Sequence, residues 1–235
     1  MSMSDRTMLL IGEEGIARLK DTFAVVCGVG AVGGYALEGL VRAGIGHIRV
    51  VDADIFNDSN LNRQILATVG TIGRKKAEVA AERARSINPD IEIETMCELV
   101  STDTIDRILS GDPDIVVDAI DTVEHKCSLL RAVSERGIRT FSSMGAALHF
   151  DTQSIHVATL KKTKVCPLAA SVRSRLRDVD TSCITCVYSE EKLEIRPDER
   201  DEHGKSILGS LPTVPAVFGM TLANEAIRYI LEKDE

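Results

Sequence analysis

Tryptophan is absent from this 235-residue chain, and five Phe and three Tyr make up its whole aromatic content, 3% of the residues. An interior without large rings must be filled by Val, Ile, Leu and Ala, which is how a parallel sheet covered by helices on both faces is built. A chain this long can hide about 70–75% of its unfolded surface, enough for a full core. No apolar run approaches the roughly 20 residues of a bilayer span. The start, Met1-Ser2-Met3-Ser4-Asp5-Arg6, lacks the order of charge and apolar run that marks a secretory leader. The expectation is a cytoplasmic protein with no membrane partner. Excess positive charge is also missing: 28 basic residues face 36 acidic ones, a net charge of −8. Polyanion binding by the whole surface is thereby excluded, and only a local basic patch is left for it. Cys27, Cys97, Cys127, Cys166, Cys183 and Cys186 form no secreted disulfide framework and read as reduced thiols.

What is present is a rhythm. Apolar runs at 23–27, 47–51 and 114–117 alternate with helical patterns at 31–43, 75–86 and 124–136. A short strand at 91–95, a helix at 102–109 and a strand at 138–141 continue the series. The expected fold class is α/β, a doubly wound, mostly parallel, Rossmann-like sheet. After residue 142 the pattern changes to alternating runs at 155–160 and 184–188, expected as antiparallel strands, with a helical stretch inside 161–177 and a closing helix at 218–231. There is no internal repeat. The expected organisation is a single domain over 1–235, with a nucleotide-binding part (1–150) and a substrate-facing part (151–235).

Gly28-Val29-Gly30-Ala31-Val32-Gly33 follows the first strand and opens a helix. Glycines at this spacing permit a tight turn and close approach of backbone N–H groups to phosphate at the positive helix end. Asp52 ends the next strand, where a carboxylate accepts from ribose hydroxyls, and Asp54 follows it. This much says adenine nucleotide and leaves NAD and ATP both open. The residues downstream separate them. Asn60, Arg63 and Gln64, then Lys76, supply cations and amides that hydride transfer does not need. An enzyme that breaks ATP needs cations aimed at charge building on the departing pyrophosphate.

In this order the glycine turn, Asp-x-Asp, Asn-x-x-Arg-Gln, a Lys before an Ala/Glu-rich helix, and Asp118-Ala119-Ile120-Asp121 resemble the ThiF/MoeB/HesA superfamily of adenylating enzymes, related to ubiquitin-activating enzyme. The resemblance implies that Asp52 binds ribose and that Asn60, Arg63, Gln64 and Lys76 contact the triphosphate. It implies that Asp121 lies by the α-phosphate and helps to hold Mg²⁺, and that Arg6 reaches across a homodimer to the partner's ATP. Ala31 departs from the glycine that many members carry there.

Ser142-Ser143-Met144-Gly145, Asp151-Thr152, Lys164-Val165-Cys166-Pro167, Val187-Tyr188-Ser189-Glu190 and Gly209-Ser210-Leu211-Pro212 resemble one branch of that superfamily, the dehydratases of threonylcarbamoyl-modified adenosine in tRNA. The implied reaction adenylates the threonyl carboxylate at position 37 of tRNA, after which the side chain closes on itself and AMP leaves. The implied cofactors are ATP and Mg²⁺, with tRNA as substrate and a sulphur-transfer protein as a further partner.

Residues 161–177 fit a tRNA substrate: Lys161, Lys162, Lys164, Arg173, Arg175 and Arg177 occur there without one acid. Leu168, Val172 and Leu176 at helical spacing would pack while Arg173 and Arg177 project together. Cys183-Ile184-Thr185-Cys186 is a single Cys-x-x-Cys, and Cys166 and His203 do not complete a standard zinc spacing, so structural zinc is not expected. Cys166 beside Lys164 raises a nucleophile reading, which an intramolecular ring closure does not require. The rivals left by the sequence are an activator of a small sulphur-carrier protein, an NAD-dependent oxidoreductase and a nucleotide-binding scaffold without activity.

Overall fold

The computed structural model describes residues 3–193, 200 and 207–232. The apolar runs become strands β1 (Phe23–Cys27), β2 (His47–Val51), β3 (Glu92–Met96), β4 (Ile115–Asp118) and β5 (Arg139–Ser143), followed by β6 (Ile155–Thr159) and β7 (Ile184–Ser189). They form one seven-stranded sheet in the order β3-β2-β1-β4-β5-β7-β6. All pairings are parallel except β6 with β7. Helices α1 (Asp5–Asp21), α2 (Gly33–Ala43), α3 (Lys76–Ile87), α4 (Ile105–Ile108), α5 (Val123–Arg136), α6 (Pro167–Arg175) and α7 (Thr213–Glu232), with four short 3-10 turns, complete the described elements.

Side-chain alternation divides the core between the faces. Ala24, Val26, Ile115 and Val117 pack with α2, α3 and α7. Val25, Cys27 and Val116 pack with α4, α5 and α6. Burial on both sides is why β1 and β4 read as unbroken apolar runs. No helix among the described residues is long and apolar enough to cross a membrane.

Three local expectations are corrected. The closing helix starts at Thr213, five residues before position 218, because Pro215 falls in its first turn, where a missing N–H costs nothing. The helix expected at 102–109 is one turn, Ile105–Ile108. β7 is antiparallel to β6 as expected, but it is buried at every residue and parallel to β5. Wedged between two strands and covered on both faces, it does not have the half-exposed character that its alternation suggested. Apolar spacing does not mark α1: Gly12 kinks it at φ 72°, and exposed Leu9 and Leu10 obscure its amphipathic period.

The helices over the first face are tied by Glu38 of α2, which is 5% exposed. Its carboxylate accepts from Arg42 Nε and Nη2 at 2.8 and 2.6 Å, and from Arg83 Nε and Nη2 at 3.0 and 2.8 Å. Burial pushes its pKa up, but the Arg83 and Arg42 hydrogen bonds outweigh this and hold it below the ordinary glutamate value. Glu38→Gln should lower stability at neutral pH by about 1.5–3 kcal/mol, the range for hydrogen bonds to a charged group. The difference from wild type should shrink as pH falls through the lowered Glu38 pKa, since both side chains are then neutral. Urea unfolding at neutral and acid pH reads both effects.

Candidate active site

β1 and β4 are neighbours whose following helices leave on opposite faces, so a crevice opens beyond their carboxyl ends. The glycine turn lies there. Gly28 has φ +85°, and a β-carbon on it would stand 2.9 Å from the carbonyl oxygen of Ala119, the residue after β4. At Gly33 a β-carbon would overlap the Gly28 carbonyl. At Gly30 the nearest atom would be Gln64 Nε2 at 3.8 Å, so a β-carbon there would meet the Gln64 amide in ordinary contact without a clash. Ala31 is half-buried beside Gly30. Val32, the N-cap of α2, makes no side-chain capping bond, leaving the first N–H groups of the helix to an anion.

Asp52 closes one side of this cradle. Its Oδ2 accepts the Val29 N–H at 2.8 Å and its Oδ1 the Asp54 N–H at 2.9 Å. Burial raises its pKa above the ordinary aspartate value, against the lowering effect of those bonds and of the nearby Lys76 charge. Lys76, buried at the start of α3, donates to Asp54 Oδ2 at 2.9 Å. In the turn after β2, Asn60 Oδ1 accepts the Asn57 N–H at 3.1 Å, and the Asn60 carbonyl accepts from the N–H groups of Arg63 and Gln64. Asn60 thus helps to order the turn that carries Arg63 and Gln64. The Arg63 guanidinium rests on Ser59 O at 2.7 Å and Asn62 Oδ1 at 2.9 Å. Gln64 is buried against Gly30, and its Oε1 has no hydrogen-bond partner. A buried amide oxygen left in this way suits completion by a ligand hydroxyl. Asp121, exposed in the turn after β4, accepts from the Thr122 hydroxyl at 3.2 Å.

The predicted positions Gly28, Gly30, Ala31, Gly33, Asp52, Asp54, Gln64 and Lys76 are thus joined in one crevice, with Asn60 and Arg63 in the adjoining turn and Asp121 across it. Arg6 stands exposed in the first turn of α1. The sequence did not reveal that residues 207–212 bridge this end of the sheet: Gly209 O accepts the Leu148 N–H at 2.9 Å, and Ser210 O accepts from Asn62 Nδ2 at 3.0 Å. Nor did it reveal the buried trio of Asp118, Lys126 and Ser142 behind the Asp121 turn.

Residues 4–235 match the model of the ThiF family. The chain belongs to the ThiF family. It is 33% identical over 241 residues to the tRNA threonylcarbamoyladenosine dehydratase of Bacillus subtilis (strain 168), covering 98% of this chain and 95% of that one. It is 32% identical over 248 residues to the enzyme of the same name from Escherichia coli (strain K12), covering 97% and 92%. A crystal structure of the E. coli dehydratase in complex with ATP superposes with a TM-score of 0.88 at 32% identity, over 99% of this chain and 98% of that one.

In this ThiF-family chain the basic stretch is less uniform in space than in sequence. Lys161 and Lys162 are exposed in a 3-10 turn. Lys164 lies 3.8 Å from Glu190. Arg173 and Arg177 do not project together: α6 stops at Arg175, and Arg173 folds back to donate to Thr163 O at 2.9 Å and to the Thr163 hydroxyl. Arg177 is exposed beyond the helix.

Cys166 is buried at the N-cap of α6, so no exposed thiol stands beside Lys164. Cys183 Sγ contacts Ser134 Oγ at 3.8 Å, while burial in β7 pushes the Cys186 thiol pKa up to about 12. His203 lies outside the described residues. Among the described residues, His47, Glu92 and Glu94 are close enough together to hold a metal, but Glu94 is already engaged by Arg49 Nε at 2.7 Å.

Gly28→Ala should cost about 1–3 kcal/mol, because the substitution adds strain at positive φ and crowds the Ala119 carbonyl. Chemical denaturation measures it, and an unchanged midpoint would contradict the close approach of the two turns.

Proposed function

We propose that this ThiF-family chain is an ATP-dependent dehydratase of N6-threonylcarbamoyladenosine at position 37 of tRNA. The observation that carries the reading is the crevice itself: an uncapped helix start, the ribose-side carboxylate Asp52 and two cation-bearing turns meet where β1 and β4 part. The dehydratases similar over nearly the full length support the choice of substrate. In the first step a threonyl carboxylate oxygen attacks the α-phosphorus and pyrophosphate leaves. In the second, an atom of the same side chain attacks the acyl carbon and AMP leaves. The net change in the nucleoside is the loss of one water.

The roles follow from placement. The N–H groups opening α2 receive phosphate. Asp52 accepts from ribose hydroxyls, and Asp54 gives up Lys76 as the polyphosphate enters. Arg63 turns from Ser59 to the same charge, and Gln64 completes its amide against the nucleotide. Bound Mg²⁺ would neutralise phosphate charge, and the exposed Asp121 carboxylate across from the glycine turn fits it as a ligand. The task is positioning and charge neutralisation, and no enzyme nucleophile is required. We read the chain as one adenylating domain, with 1–150 holding nucleotide and 151–235 facing the substrate, acting in the cytoplasm. Leu9 and Leu10, 89% and 85% exposed on α1, support a homodimer in which they are covered and Arg6 reaches the partner's site.

ATP–pyrophosphate exchange with purified protein should be driven by modified tRNA and not by small sulphur-carrier proteins. The modified adenosine should lose the mass of one water, and exchange driven only by a carrier would overturn the assignment. Arg63→Ala and Asp121→Ala should abolish exchange with the unfolding midpoint unchanged. Because the Asp52 pKa is raised, wild-type affinity for ATP should fall with acidification at a higher pH than an ordinary aspartate dictates. Asp52→Asn should bind weakly with no such step; calorimetric titration across pH reads both. Replacing Lys161, Lys162 and Arg177 together by Glu should weaken tRNA binding and flatten its salt dependence. Arg173→Glu should instead act mainly on stability, through Thr163.

A further inference from the structure

Asp118, the last residue of β4, and Lys126, the fourth residue of α5, are both 0% exposed. Lys126 Nζ donates to Asp118 Oδ2 at 2.5 Å and to Ser142 Oγ at 3.3 Å, and the Ser142 hydroxyl donates to the same Asp118 Oδ2 at 2.6 Å. The other oxygen, Oδ1, accepts the Ile120 N–H at 3.1 Å. This closed set of bonds spans β4, β5 and α5 on the face opposite α2. An ion pair in such a place is expensive to desolvate, and apolar residues of similar volume are often as stable or more so. Packing alone therefore does not account for it.

What the pair controls is the turn that leaves it. Ala119 N donates to Cys27 O at 2.8 Å, the Ala119 carbonyl lies against Gly28, and its β-carbon lies against Gly33. Two residues further on is Asp121. The carboxylate that caps Ile120 thus sets the path of residues 119–121 across the glycine turn, and Lys126 fixes that carboxylate from behind.

We infer that Lys126 is a positioning residue for adenylation: through Asp118 it holds the 119–121 turn so that Asp121 faces the α-phosphate side of the nucleotide cradle. The inference rests on the adenylating function proposed above. Lys126 is buried behind the turn and acts without touching substrate. The side-chain bonds of Lys126 go to Asp118 and Ser142, while Asp52 is held on the far side of the glycine turn by the Val29 and Asp54 N–H groups. Loss of Lys126 should therefore appear in kcat more than in the KM for ATP.

The test is ATP–pyrophosphate exchange driven by modified tRNA, with rates expressed per folded molecule. Lys126→Met should lower kcat at least tenfold and change the KM for ATP less than threefold. Because that variant leaves the Asp118 charge buried without its partner, Asp118→Asn/Lys126→Met, which removes both charges, is measured in parallel and should show the same loss. Adding Lys126→Met to Asp121→Asn should slow the residual exchange no further, since both act at one point. A role in folding alone would lower the unfolding midpoint and leave kcat near wild type, and an independent effect on the chemistry would multiply with that of Asp121→Asn. Exchange within twofold of wild type in the variant that folds, or multiplied losses, overturns the inference. Absence of exchange by the wild-type protein would instead overturn the function on which the inference rests.

Discussion

The backbone turns that leave β1 and β4 touch, and the crevice is possible only because one of them carries no side chains where they meet. Parallel neighbours whose crossovers go to opposite faces must diverge at their carboxyl ends, which opens a space. That space becomes a phosphate site only if the first turn is tight enough to bring the N–H groups of α2 to its floor. Gly33 lets the helix start close to the Gly28 carbonyl, and Gly28 lets the turn lie against Ala119. From this contact follow the position of Val29, whose N–H fixes Asp52, and the opposed position of the Asp121 turn.

The cations of the site are already engaged, and the strength of those engagements matters. Lys76 is buried, but the Asp54 carboxylate that holds it is 71% exposed, so water competes for that partner. Arg63 is held by a neutral carbonyl and a neutral amide oxygen. The polyphosphate of the proposed nucleotide would offer each an acceptor with several negative charges, whose Coulombic attraction exceeds that of a neutral oxygen or one exposed carboxylate. Exchange of partners then favours the ligand, while the resting bonds keep both side chains close to where they are needed. Asp118 and Lys126 lie at the other extreme. Buried beyond the reach of any ligand, they have no alternative partner and can only set geometry.

The parts legible in the sequence are those whose spacing is covalent. The glycine turn, the following acid and the Asn60–Gln64 segment each lie within a few residues, so a linear pattern preserves them. The alternation of apolar runs gave the parallel sheet because burial on both faces leaves no polar position to interrupt it. What was hidden depends on contacts distant in sequence. β7 reads as a half-exposed strand, and only its place between β5 and β6 buries it. Nothing in the sequence singles out Lys126, because Asp118 and Ser142 are brought to it from two different strands. Arg173 reads as a projecting cation until Thr163, ten residues earlier, takes its guanidinium.

The basic stretch shows the same limit with a consequence for substrate binding. Residues 161–177 contain no acid, yet in the folded chain Lys164 lies beside Glu190, and Asp178 and Asp180 fall within the fields of Arg177 and Lys161. A surface of this mixed kind, on a chain of net charge −8, cannot hold tRNA by charge as a basic protein does. Each phosphate neutralised contributes somewhat less than one unit to the salt slope, so a few partly compensated cations give a shallow one. For the dehydration proposed above, discrimination then falls on the crevice, where the modified nucleoside would present its carboxylate to the α-phosphorus. Weak general attraction combined with a demanding site would let the proposed enzyme select its substrate by the chemistry of one nucleoside and still release the product.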